Sequence, residues 1–297
     1  MSSAIRASEP APGPMPAGGA SAGAIQFHYD LSDAFYRLWL DPQMIYSAAL
    51  FEDDDTLEAA QLRKLDYHIE QARATGRGRV LDVGCGWGAM LQRLVSKHGV
   101  KQATGLTLSR AQAEKIRADA LPGVDVRLEG WTDHKAAAPY DAIISVGAFE
   151  HFVRPNLSSE EKIAIYREFF QFCHDSLRPK GRLSLQSISF GTLRAGQIDP
   201  FIADMIFPES DLPYAWEILQ AADGLFEVVQ LRNDRAHYRK TCREWYRNLE
   251  LRRAEAIALV GEAKVADYER YLRISIASFA LRALGLLRIT FERLESR

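Results

Sequence analysis

The run from Arg79 to Met90, RVLDVGCGWGAM, constrains the fold more than any other stretch of the chain. A branched apolar segment (Val80, Leu81, Val83) ends in Gly84-Cys85-Gly86-Trp87-Gly88, after which Ala89, Met90, Leu91 and Leu94 recur at helical spacing. This is the pattern of strand, glycine turn and helix. Alternate glycines let the backbone bend sharply and approach a ligand with no Cβ in the way, and the helix behind them offers unpaired N–H groups. A nucleotide-like ligand is implied. A hydride-carrying dinucleotide would ask for G-x-G-x-x-G and an acid about twenty residues on. Here the third glycine comes one residue early, and the next strand (Ala103 to Leu108) closes among Thr107 and Ser109 with no acid.

The rest of the chain alternates in a way that predicts an α/β fold, a Rossmann-like doubly wound sheet of seven strands. Strands are expected near 79–84, 102–108, 124–130, 140–147, 182–188, 226–232 and 286–294, with helices near 87–98, 109–120, 158–177, 240–258 and 261–283. Right-handed crossovers would bring the carboxyl ends of the first, second and fourth strands to one rim, where ligands bind. Residues 25–75 predict a helical cap, dense in aromatics from Ile25 to Phe51, and Asp55 with Glu58 reads as a capping box opening a helix from Leu57 to about Arg73. The irregular stretch 191–224, with apolar groups between Pro200, Pro208 and Pro213, suits a lid inserted in the main domain (76–297), and residues 1–24 read as a disordered tail.

Charge and cysteine usage narrow the partners. A net charge of −2 argues against long contacts with nucleic-acid phosphates. Cys85, Cys173 and Cys242 stand too far apart for a metal or disulfide framework, which fits a reducing cytoplasm, and His28, His151 and His237 do not converge with acids at metal-ligand spacing. The most apolar late stretch, Ile274 to Leu287, is interrupted by Arg282 and reads as a core helix running into a strand rather than a membrane span.

Several separated motifs resemble one family. HYDLSDAFYRLWLDP (28–42), YSAALFE (46–52), LDVGCGWGAM (81–90), GLTLSRAQA (105–113), GW (130–131), GAFEHF (147–152) and HY-x-KT (237–241) are together similar to the cyclopropane-fatty-acid synthases. The mycolic acid cyclopropane synthases are the nearest form. These are class I methyltransferases that use S-adenosylmethionine (SAM). The resemblance implies that Tyr46 and Ser47 contact the cofactor from above, that Asp82, Gly84 and Gly86 lie beneath its amino-acid end, and that Thr107 and Gln112 handle the ribose side. It likewise implies that Trp131 lies beside the adenine, and that Glu150 and Tyr238 are catalytic and face a pocket with Tyr29, Phe149 and Gln186. The expected acceptor is a lipid or acyl chain, borne by a phospholipid, a carrier protein or neither. An alkene attacking the sulfonium methyl would leave a carbocation, which Tyr29, Phe149 and Tyr238 could stabilise and from which Glu150 would remove a proton. Family members hold a bicarbonate among Cys, Glu, His and Tyr. This chain has Ala48 for the Cys and Gln186 for the His, which sets the bicarbonate, and ring closure with it, in doubt. A plain C- or O-methyltransferase and a non-catalytic SAM or lipid sensor are the alternative readings.

Overall fold

The strands β1 (Arg79–Val83), β2 (Gln102–Thr107), β3 (Val124–Leu128), β4 (Tyr140–Val146), β5 (Leu177–Phe190), β6 (Phe226–Asn233) and β7 (Leu284–Arg293) form one sheet, ordered β3-β2-β1-β4-β5-β7-β6. The structure is a computed structural model that describes residues 33–194, 196, 197, 201 and 209–295. The expected tail 1–24, Tyr29, His28 and the lid residues 202–208 lie outside them. The first five strands pair in parallel, and β7 runs antiparallel between β5 and β6. Strand order reverses beside β1, so the ends of β1, β2 and β4 open onto one rim, as the alternation requires.

Three apolar clusters hold this sheet in place. On one face, α2 (Leu57–Gln71), α3 (Ala89–Ser96) and α4 (Arg110–Asp119) pack Ile69, Leu91, Leu94 and Ala113 against Val80 and Ile144. Burying Leu91 completely contributes about 1.5–3 kcal/mol. On the other face, α5 (Ser159–Ser176) and α6 (Ala215–Ala222) set Phe170 and Ile218 against Leu183 and Phe291. In the third cluster, α1 (Asp33–Arg37) and the following loop meet α7 (Arg235–Leu251), α8 (Arg253–Val260) and α9 (Glu262–Ala280) through Trp39, Trp245 and Tyr268. Its rings meet mostly edge to face, with Trp39 and Trp245 centroids 5.7 Å apart.

Two expectations are corrected. The residue capping α2 is Thr56, whose hydroxyl accepts from the Ala59 amide at 3.2 Å. The helix starts at Leu57, as expected, and the Asp55 carboxylate instead pairs with Arg63 at 2.7 Å. The expected helix 240–258 begins earlier, at Arg235, and is broken at Arg252, whose φ of −115° and ψ of 24° end α7 and start α8. Toward the end of the expected lid, helix α6 buries Ile218 and Ala221 in the cluster beneath the sheet, because one face of AWEILQAA is continuously apolar.

Candidate active site

Gly84 sits at the end of β1 with φ +83°, and a Cβ built there would lie 2.5 Å from the Ala148 Cβ. Glycine is required on both counts: the left-handed backbone and the close approach of the segment after β4. Two residues on, Gly86 (φ +53°) has no atom within 4 Å of where its Cβ would stand. The bend is thus held shut from behind and left open in front. In front lies a cavity of about 390 Å³, within the range of small-molecule sites.

Tyr46, Ser47, Asp82, Gly84, Gly86, Thr107, Gln112 and Trp131 all line this cavity. Two of these positions touch directly: the Thr107 hydroxyl donates to Gln112 Oε1 at 2.7 Å. Trp131 is propped from behind by Phe169, with ring centroids 5.5 Å apart. Burial pushes the Asp82 carboxyl up to about 7, opposed by the charge of Lys64. Sequence reasoning passed over Lys64. It sits in α2, only 1% exposed, lines the same cavity and donates to Ser47 Oγ at 2.8 Å.

A second cavity of about 250 Å³ meets the first at Tyr46, Ser47, Gly147 and His151, which line both. Its wall is mostly apolar and aromatic, with Ile188, Tyr271, Ile274, Phe279 and Leu286 prominent. Leu193, Ser210 and Leu212, at the two ends of the expected lid, complete it. Gln186 faces into it from β5, Glu150 from the turn after β4, and Tyr238 from α7, where its ring stacks on Phe279 at 4.6 Å.

Glu150 is held in a single 3-10 turn (Phe149–His151) after β4. Its Oε1 accepts from the Ile188 amide at 2.6 Å, whereas Oε2 is buried and accepts no hydrogen bond among the described residues. Burial pushes its pKa up to about 7, against the lowering effect of the Ile188 amide and the Ser187 hydroxyl. Gln186 lies inside β5, its Oε1 fixed by Arg288 Nε at 2.8 Å and facing His68 Nε2 at 3.3 Å. Arg288, fully buried in β7, also donates to the Ala48 and Ala49 carbonyls at 3.1 and 3.0 Å and pairs with Asp234. No local pattern singled out Arg288.

The structure does not bring Phe149 to the cavity. Its ring is turned into the core and stacks on Tyr166 at 4.3 Å, because the turn that aims Glu150 at the rim points the preceding side chain the other way. Tyr29 lies outside the described residues. Among the described residues no three metal-ligating side chains converge, and no helix is long and apolar enough to cross a membrane. His151 instead hydrogen-bonds Ser210 at 2.7 Å, and burial lowers its pKa to about 4, so its ring is neutral near pH 7.

Comparison with known proteins agrees with this geometry. Residues 19–289 match the family model described as mycolic acid cyclopropane synthetase. Cyclopropane mycolic acid synthase 3 of Mycobacterium tuberculosis is 35% identical over 269 residues, 84% of this chain and 90% of that protein. The S-adenosylmethionine-dependent methyltransferase UmaA of the same organism is 37% identical over 265 residues, 82% of this chain and 88% of that one. The crystal structure of mycolic acid cyclopropane synthase CmaA1 complexed with SAH and CTAB superimposes with a TM-score of 0.83 at 33% identity, covering 93% of this chain and 99% of that one.

Proposed function

Since the chain belongs to the mycolic acid cyclopropane synthetase family and is a SAM-dependent methyltransferase, we propose that it transfers a methyl or methylene carbon to a long apolar acceptor, an unsaturated acyl chain. The observation that carries this reading is the meeting of a cavity floored by the glycine turn and carrying Ser47, Lys64, Asp82 and Gln112 with a mostly apolar one in which Glu150 is the one carboxyl group among the described residues. The names of the relatives support an acyl acceptor, and the SAH and CTAB of the CmaA1 structure support a donor and a second ligand in one protein.

The cradle at Gly84 and Gly86, which a side chain would fill or obstruct, fits the donor. Tyr46, Ser47, Asp82, Thr107, Gln112 and Trp131 would hold it. When bound, SAM supplies an electrophilic sulfonium methyl. The chain's own contribution is to exclude water, to hold the acceptor double bond at the junction of the cavities, and to supply aromatic faces, Tyr238 and Tyr271 among them, toward positive charge developing on the acceptor. Glu150 Oε2, unpaired and buried, is placed to take the proton that leaves.

The residues do not fit bicarbonate. Among the described residues no lysine or arginine lines the acceptor cavity, position 48 has no thiol, and the Gln186 oxygen is already held by Arg288. No step is routed through that ion. These same departures favour a second reading, methylation without ring closure. A SAM whose methyl carries three deuteriums, supplied with an unsaturated acyl lipid, tests both: the acyl chain is expected to gain two deuteriums on ring closure or three on plain methylation. Label found only in a base-labile ester, or no S-adenosylhomocysteine release, would overturn the proposal.

Gly84→Ala is expected to abolish measurable S-adenosylhomocysteine binding by calorimetry and to lower Tm by several degrees, because the new methyl meets Ala148 in a left-handed backbone, a strain of about 1–3 kcal/mol before any clash.

A further inference from the structure

Lys64 is an ammonium group nearly sealed inside the protein with no carboxylate within 4.0 Å among the described residues, and its one hydrogen bond is to Ser47 Oγ. Two of its three N–H donors are left over. It nevertheless lines the donor cavity, together with Ser47, and on that wall the Asp82 carboxyl also makes no hydrogen bond or ion pair with the described residues. A buried charge without a counter-ion is unfavourable in the unliganded protein and is expected where a ligand brings the opposite charge. Ser47, accepting from Lys64, keeps its own hydroxyl proton to donate.

We propose that Lys64, with Ser47 beside it, receives the carboxylate of the donor's amino-acid end directly, so that this enzyme reads the charge of the donor from α2 as well as from the glycine turn. The proposal rests on the donor reading above and adds a residue to it. Asp82, on the same wall, would complement the α-ammonium of the same ligand, which accounts for two opposite charges on one wall that are not in contact with each other. Burial lowers the Lys64 pKa to about 7; beyond that, Arg288 opposes its charge and Asp41 and Asp82 favour it through their fields, none of them in contact with it. The carboxylate of a bound ligand would hold it protonated.

The test is calorimetric and needs no turnover. S-adenosylhomocysteine carries the amino-acid carboxylate; 5′-methylthioadenosine keeps the adenosine and the sulfur but lacks the amino-acid end. Lys64→Met is expected to weaken S-adenosylhomocysteine at least about tenfold, the loss of one charge-assisted hydrogen bond, and to leave 5′-methylthioadenosine within about twofold. Equal weakening of both ligands, or weakening of neither, overturns the assignment. If Lys64→Met does not fold, the wild-type protein decides: S-adenosylhomocysteine should bind at least about tenfold tighter than its decarboxylated analogue, and equal affinities overturn the proposal. Failure of the wild-type protein to bind either nucleoside would instead refute the donor site itself.

Discussion

Glu150→Gln is expected to lower kcat by about 10²–10⁴-fold while leaving the affinity for S-adenosylhomocysteine within about twofold. The substitution preserves shape, and its carbonyl oxygen can still accept from the Ile188 amide that now binds Oε1 at 2.6 Å. What it removes is the acceptor at Oε2, which no described residue occupies. A merely structural role for the carboxyl would show as a loss of Tm with activity retained, the reverse of the expected result. The wild-type pH profile gives an independent reading. Burial places Glu150 near pKa 7, and the base works only when ionised, so kcat/KM should fall on the acid side of about pH 7 and level off above it. In Glu150→Gln that acid limb should vanish along with most of the rate.

Arg288→Ala is expected to cost the fold about 3–5 kcal/mol, lowering Tm by roughly 10 °C in a thermal melt. The guanidinium is completely buried and serves four partners on three separate segments: Asp234 ahead of α7, Gln186 in β5, and the Ala48 and Ala49 carbonyls in the loop after α1. Its removal would leave the Asp234 carboxylate, 8% exposed, with only the Arg232 contact at 3.1 Å. Because the same group fixes the Gln186 oxygen, the acceptor cavity should loosen too, and the Michaelis constant for the acyl substrate should rise more than that for SAM. A Tm within about 2 °C of wild type would show that water or rearrangement replaces Arg288 and that it is not the tie between these segments.

The parts of this molecule that were legible in the sequence are those set by local repetition and by backbone need. Gly84, Gly86 and the apolar runs around them declared a strand, a turn and a helix, and alternation did the rest for the seven-stranded sheet. Positions scattered from Tyr46 to Trp131 line one cavity, those after β1, β2 and β3 because the sheet brings these strand ends to one rim. What could not be read depends on long-range contact. Lys64 and Arg288 look in the sequence like ordinary surface charges, since nothing within a few residues of either reveals that it is buried. Phe149 and Glu150 are neighbours that point in opposite directions, and only the 3-10 turn decides which one meets the acceptor. Thr56, rather than Asp55, caps α2, a choice between two adjacent residues that are both good caps and that the sequence pattern does not separate.

The claim on which the enzyme's chemistry rests is that two cavities joined at Tyr46, Ser47, Gly147 and His151 divide the donor from the acceptor. A crystal structure with S-adenosylhomocysteine and a long-chain unsaturated amphiphile addresses it most directly. The nucleoside should lie against the Gly84 turn with its sulfur toward that junction, and the chain should run past Glu150 and Tyr238. A nucleoside bound elsewhere, or a chain lying outside the cavity that holds Glu150, would contradict it.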